Sequence, residues 1–126
     1  MAGEKKPKLM IVEDDAELTE MFTTMLGLYG YRVVAAHGVG AAITAIGREH
    51  PDAILLDVMM PDASGLDLCR YLRREPEWAD LPIIVISARS RREDIETGLQ
   101  AGATAYLTKP LDMNKLLEML RKHVGS

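Results

Sequence analysis

The sequence predicts an α/β fold, a doubly wound five-stranded parallel sheet of the (βα)5 kind. Three observations lead there. Short apolar runs rich in β-branched residues alternate with segments whose apolar residues recur at helical spacing. The alternation occurs five times, which implies parallel strands joined by right-handed crossovers, with helices on both faces. The length, 126 residues, suits one domain with a real core, and no linker, repeat or low-complexity segment divides residues 1–126.

The predicted strands are "KLMIV" at 8–12, "YRVVAA" at 31–36, "DAILL" at 52–56, "LPIIVI" at 81–86 and "TAYLT" at 104–108. Most are continuous apolar runs, as expected of strands covered on both faces. In the first helix Leu18, Met21, Phe22, Met25, Leu26 and Tyr29 share a face, and Gly30 supplies the stop. Val39, Ala42, Ile43 and Ile46 mark the second helix more weakly. Leu66, Cys69 and Leu72 mark the third, with Ser64 and Asp67 spaced as a capping box. Ser90 and Glu93 give a second such box before a fourth helix ending near Gly102. Met113, Leu116, Leu117, Leu120 and Val124 form the fifth.

Composition excludes several classes. A net charge of −4 argues against a dedicated nucleic-acid binder, which normally carries a basic surplus. One cysteine permits neither a disulfide framework nor a thiolate metal cage, and a reducing cytoplasm is the expected compartment. No stretch reaches membrane-spanning length, and the opening "MAGEKKPKLM" lacks the apolar core of a signal peptide. His37, His50 and His123 lack metal-ligand spacing and read as surface residues; Cys69 reads as a buried helix residue.

Ligands of doubly wound sheets sit beyond the carboxyl ends of the strands. Here those ends carry chemistry. Glu13, Asp14 and Asp15 follow the first strand, and Asp57 follows the third. Ser87 and Ala88 follow the fourth, Lys109 and Pro110 the fifth. Crowded carboxylates raise one another's pKa unless a cation intervenes, and a hard divalent ion resolves that conflict. Oxygen ligands with one lysine also meet the needs of phosphoryl transfer, in which a carboxylate can be the nucleophile.

The motifs "IVEDD", "LLDVMMPDASG", "VISA" and "AYLTKP", in that order, resemble the receiver domains of two-component response regulators. The likeness covers about the whole chain and is nearest in kind to single-domain chemotaxis regulators. It implies a flavodoxin-like strand order, 2-1-3-4-5. It also implies phosphorylation of one aspartate, which lands on Asp57. Mg²⁺ (or Mn²⁺) would be held by Glu13, Asp14, Asp57 and the backbone carbonyl of Met59. The family's switch hydroxyl falls on Ser87, its phosphate-binding lysine on Lys109 and its switch aromatic on Tyr106. The bond before Pro110 is expected to be cis. Asp15 reads as the cap of the first helix. Met59 and Arg89, two residues beyond Asp57 and Ser87, border the approach of water and are expected to control access to the site.

The resemblance further implies a histidine kinase or histidine phosphotransfer protein as donor. The downstream target would dock on the face formed by the fourth helix, fifth strand and fifth helix, with no nucleic acid bound directly and no membrane insertion. Such a chain is a signalling receiver rather than an enzyme, assisting only its own phosphorylation and dephosphorylation. Ten elements consume the sequence, so action by docking is expected, without an output domain.

Two other classes compete. A degenerate receiver would act as a phosphorylation-independent interaction module, although every matched site residue is present here. An aspartate-nucleophile phosphatase needs a second carboxylate two residues after the nucleophile, and position 59 is Met. A dinucleotide fingerprint at Gly38 and Gly40 fails at its third position, which is Ile43.

Overall fold

Alternation of side chains along each strand decides where the helices go. In the computed structural model, which describes residues 6–124, ten elements follow in order. They are β1 (Lys8–Val12), α1 (Ala16–Leu28), β2 (Arg32–Ala36), α2 (Val39–Glu49), β3 (Ala53–Leu56), α3 (Gly65–Arg74), β4 (Ile83–Ser87), α4 (Arg92–Gln100), β5 (Ala105–Thr108) and α5 (Met113–His123). The sheet is parallel with order β2-β1-β3-β4-β5. Met10, Val12, Ile54, Leu56, Ile83 and Val85 point to one face, against Val39, Ala42 and Ile46 of α2 and Leu68, Cys69 and Leu72 of α3. Leu9, Ile11, Leu55, Ile84 and Ile86 point to the other, against Phe22 and Leu26 of α1 and Leu116, Leu117 and Leu120 of α5. Apart from Lys8 at the start of β1 and Ser87 at the end of β4, the central strands are therefore apolar throughout, whereas the edge strands β2 and β5 are only partly covered.

The helix ends follow local chemistry. Asp15 caps α1, accepting the Glu17 and Leu18 N–H groups at 3.0 and 3.1 Å. Gly30 (φ +93°) closes the other end, where the Gly30 and Tyr31 N–H groups return to the Gly27 and Leu26 carbonyls. Gly102 (φ +116°) ends α4 with the same pair of bonds, to Leu99 and, through Ala103, to Gly98. Asp112 caps α5.

Two capping expectations need correction. Ser64 caps α3 through the Leu66 N–H, but the Asp67 carboxylate pairs with Arg70 at 3.1 Å instead of completing a box. At α4 the box is not Ser90 with Glu93. The helix starts at Arg92, and the Asp94 carboxylate accepts the Arg91 N–H at 3.3 Å. Asp94 prevails because its carboxylate is the one that meets the first unpaired N–H of this turn.

Helix α4 is lightly held at its start and firmly at its end. Gly98 is its one buried residue, while Leu99 is exposed. At the far end Arg73 of α3 donates to the carbonyls of Gly102, Trp78 and Ala79 at 2.8, 3.1 and 3.2 Å, and to Thr104 Oγ1 at 3.3 Å. Burial pulls the Arg73 pKa down, but four neutral oxygens satisfy its fork.

Candidate functional site

Three strands deliver charges to one rim of the sheet. β1 ends at Val12, and the Glu13 N–H continues its ladder by donating to the Ala36 carbonyl at 3.0 Å. Glu13 is therefore held at the strand tip, 5% exposed, whereas Asp14 next to it turns outward. Asp57 likewise continues β3, its N–H donating to the Val12 carbonyl at 3.1 Å, and it is 9% exposed. Lys109 leaves β5 with its N–H on the Ser87 carbonyl at 2.8 Å, ahead of a cis bond to Pro110. Its ammonium lies between the two buried carboxylates, 3.0 Å from Asp57 Oδ2 and 3.4 Å from Glu13 Oε1.

The second oxygen of each carboxylate is also fixed. The Met59 N–H donates to Asp57 Oδ1 at 3.0 Å, and the Asp15 N–H to Glu13 Oε2 at 3.2 Å. Gly65 makes this packing possible: a Cβ there would collide with the Asp57 carbonyl, so α3 can start against the strand tip only without a side chain. Ser87 is fully buried at the end of β4, its Oγ accepting the Arg89 N–H at 3.1 Å.

The electrostatics leave the cluster short of positive charge. Burial, then repulsion from Asp57, pushes Glu13 above the usual carboxylate range, against the lowering effect of the Asp15 N–H and Lys109. Burial works against the Lys109 charge, but the contacts to Asp57 and Glu13 outweigh it and hold its pKa up. One ammonium thus faces two carboxylates, with the exposed Asp14 next to Glu13 in the chain. Among the described residues no three carboxylate, imidazole or thiolate side chains form a ready-made cage. Mg²⁺ does not require one, since it commonly uses one or two carboxylates and keeps several waters. A hard oxygen donor set with a net negative charge fits that ion.

The remaining residues of interest lie around this centre. Tyr106 of β5 lies against α4, where a Cβ on Gly98 would come within 2.8 Å of its ring, and its hydroxyl donates to the Arg89 carbonyl at 2.8 Å. The Met59 side chain is exposed, and the Arg89 guanidinium leans toward Asp94 at 3.9 Å. Met59, Met60, Arg89, Asp94 and Tyr106 line a cavity of about 450 Å³ between the β3–α3 loop and α4. Cys69 lies in the core, its thiol pushed up to about 11 by burial, away from this rim. His37 is exposed, with its Nδ1 3.0 Å from the Glu13 carbonyl.

Sequence reasoning missed Asp62. Its carboxylate accepts the Val39 and Gly40 N–H groups at 3.0 and 2.9 Å, capping α2 from another loop. The available signal was Gly38, a helix-start residue with no side chain to cap with.

A rim of this kind on a 2-1-3-4-5 sheet defines a class, and sequence comparison agrees. Residues 9–121 match the response regulator receiver domain model, and the chain belongs to that family of two-component signalling domains. Among curated relatives, the response regulator MprA of Mycobacterium avium is 40% identical over 114 residues. These are 90% of this chain and 49% of MprA, so the chain spans about half the length of the curated relatives it matches. The BeF3-activated N-terminal receiver domain of Klebsiella pneumoniae RstA superposes with a TM-score of 0.87 at 34% identity, covering 94% of this chain and 99% of that one. The Vibrio cholerae chemotaxis protein CheY4 gives a TM-score of 0.87 at 26% identity, covering 94% and 98%. No described helix is long and apolar enough to cross a membrane.

Proposed function

We propose that this chain is a phosphorylation-dependent switch whose phosphoacceptor is Asp57. The observation that carries this reading is the Asp57 carboxylate itself. It is nearly buried at a strand tip, with one oxygen on the Met59 N–H and the other on the Lys109 ammonium. A nucleophile so held has its orientation fixed before the donor arrives. One Asp57 oxygen attacks phosphorus, the bond from phosphorus to the donor nitrogen breaks, and the imidazole keeps that electron pair. Lys109 is placed to neutralise the transferred oxygens.

Glu13, Asp14, Asp57 and the Met59 carbonyl would hold Mg²⁺, which supplies further neutralisation of phosphoryl charge when bound. The Ser87 hydroxyl is one strand away and can turn its proton toward a phosphoryl oxygen. Ser87 and Lys109 bracket the route to α4, β5 and Tyr106, and the lightly held start of α4 is the element that phosphorylation shifts. The donor is a histidine kinase or histidine phosphotransfer protein. A target protein docks on the α4–β5–α5 face, near the basic edge of Arg89, Arg91 and Arg92. The chain works in the cytoplasm as a signalling domain and turns over no external substrate.

Beryllofluoride, a phosphoryl mimic, tests the switch. With Mg²⁺ present, amide shift changes should spread from Asp57 through Ser87 and Lys109 to α4, β5 and α5. Changes confined to α1 and α2 would contradict the reading.

A further inference from the structure

The loop after Asp57 is anchored from outside the site. Val58 to Ser64 folds back on itself, with the Gly65 N–H on the Val58 carbonyl at 2.8 Å and a bridge between Met59 and Ser64. Its tip carries Asp62, whose two oxygens divide between the first two N–H groups of α2: Oδ1 on Val39 and Oδ2 on Gly40. The N-cap residue of α2 is Gly38, which makes no side-chain cap, and a Cβ there would press within 3.1–3.2 Å of the Asp62 carboxylate. Glycine thus leaves the space that Asp62 fills. The bonds to Gly40 and Val39 also hold the Asp62 carboxyl below its ordinary pKa, so it is ionised and complements the positive end of the helix. The same β2–α2 junction grips the other flank of the rim, because His37 Nδ1 meets the Glu13 carbonyl and the Ala36 carbonyl accepts the Glu13 N–H.

We infer that Asp62 is a positioning residue for the metal-binding step: by clamping the β3–α3 loop to the start of α2, it fixes the Met59 backbone between the two carboxylates and the open rim. The inference rests on the metal reading given above. Helix capping alone would require only an acceptor at α2, and a serine at position 38 could supply one. Clamping requires that the acceptor belong to the loop that carries Met59. The two roles therefore separate genetically.

The test compares wild type, Asp62→Ala, and Asp62→Ala combined with Gly38→Ser. Gly38 has extended backbone (φ −173°), which any residue adopts, and removing the Asp62 carboxylate makes room for the new side chain. Apo melting temperature is measured for each protein, and Mg²⁺ is titrated while the amide resonances of Asp57 and Met59 are followed. Asp62→Ala should lower the melting temperature and weaken Mg²⁺ binding by about tenfold, the usual scale for losing an outer-shell support. The double variant should regain the melting temperature without regaining the affinity. Wild-type affinity in either variant would overturn the inference and reduce Asp62 to a helix cap. Absence of Mg²⁺ binding in wild type would overturn it differently, by removing the metal reading beneath it.

Discussion

Replacing Lys109 with methionine keeps an unbranched stem and deletes the charge between Glu13 and Asp57. The geometry bounds the cost. Nζ is 3.0 Å from one carboxylate oxygen and 3.4 Å from the other, so those oxygens are at most about 6.4 Å apart. At an effective dielectric constant near 20, two like charges at that separation repel by at least roughly 2.6 kcal/mol, a repulsion that the ammonium offsets in wild type and that stands uncompensated without it. Lys109 is 28% exposed, so water takes up part of this, and about 2 kcal/mol is the expected loss. For a chain of this size that lowers the melting temperature by roughly 8 °C.

Three conditions should shrink the gap between Lys109→Met and wild type. Mg²⁺ replaces the missing charge. Glu13→Gln in the same background removes the repulsion. Acidification protonates Glu13, whose raised folded pKa means that its stability contribution is present at low pH and lost as pH rises through that pKa. Thermal denaturation with and without Mg²⁺, at neutral and mildly acidic pH, reads all three. A variant that melts with wild type at neutral pH without Mg²⁺ would refute the charge argument, as would a gap that none of these conditions narrows.

Other outcomes follow from the same structure. In the apo protein Glu13→Gln should raise the melting temperature at neutral pH, because ionised Glu13 is disfavoured by burial, and it should weaken Mg²⁺ binding in a parallel titration. Gly98→Ala should cost about 1 kcal/mol in chemical denaturation, since about 1–3 kcal/mol of overpacking against Tyr106 exceeds the helix-propensity gain of about 1 kcal/mol. The same change made with Tyr106→Ala should be neutral or stabilising, and a persistent loss would show that the ring is not the obstacle. Met59→Asn with Arg89→Glu should speed loss of the phosphoryl group by about tenfold, followed as decay of the adduct mass. Unchanged decay would place control of the water path elsewhere.

The sheet was legible because β1, β3 and β4 are continuous apolar runs between Lys8 at the start of β1 and Ser87 at the end of β4, and only strands covered on both faces need that. The rim was legible for a related reason. Parallel topology brings every strand end to one side, so Glu13, Asp57, Ser87 and Lys109 meet although they are far apart in sequence. What escaped was whatever depends on a partner from another element. Glu13 and Asp14 are adjacent carboxylates, and Glu13 is the buried one because its N–H continues the ladder to Ala36 while its side chain meets Lys109 and the Asp15 N–H. Gly38 is capped by Asp62, 24 residues away, and no local pattern announces that pairing. Arg73 reads as one of several basic residues at the end of α3, yet it gathers four oxygens from two other segments. The start of α4 was misplaced because serine is the better N-cap by propensity, whereas the backbone turns at Arg91.

The most direct measurement is intact-mass spectrometry of wild type and Asp57→Asn after incubation with a small-molecule phosphodonor and Mg²⁺. The nearly isosteric amide keeps the shape of the strand tip but removes the nucleophile. Wild type should gain a single phosphoryl group that chelation of Mg²⁺ before mixing prevents, and Asp57→Asn, folded and at least as stable as wild type, should gain none. A wild-type protein that stays unmodified, or an adduct that survives in Asp57→Asn, would contradict the assignment of Asp57 as the phosphoacceptor.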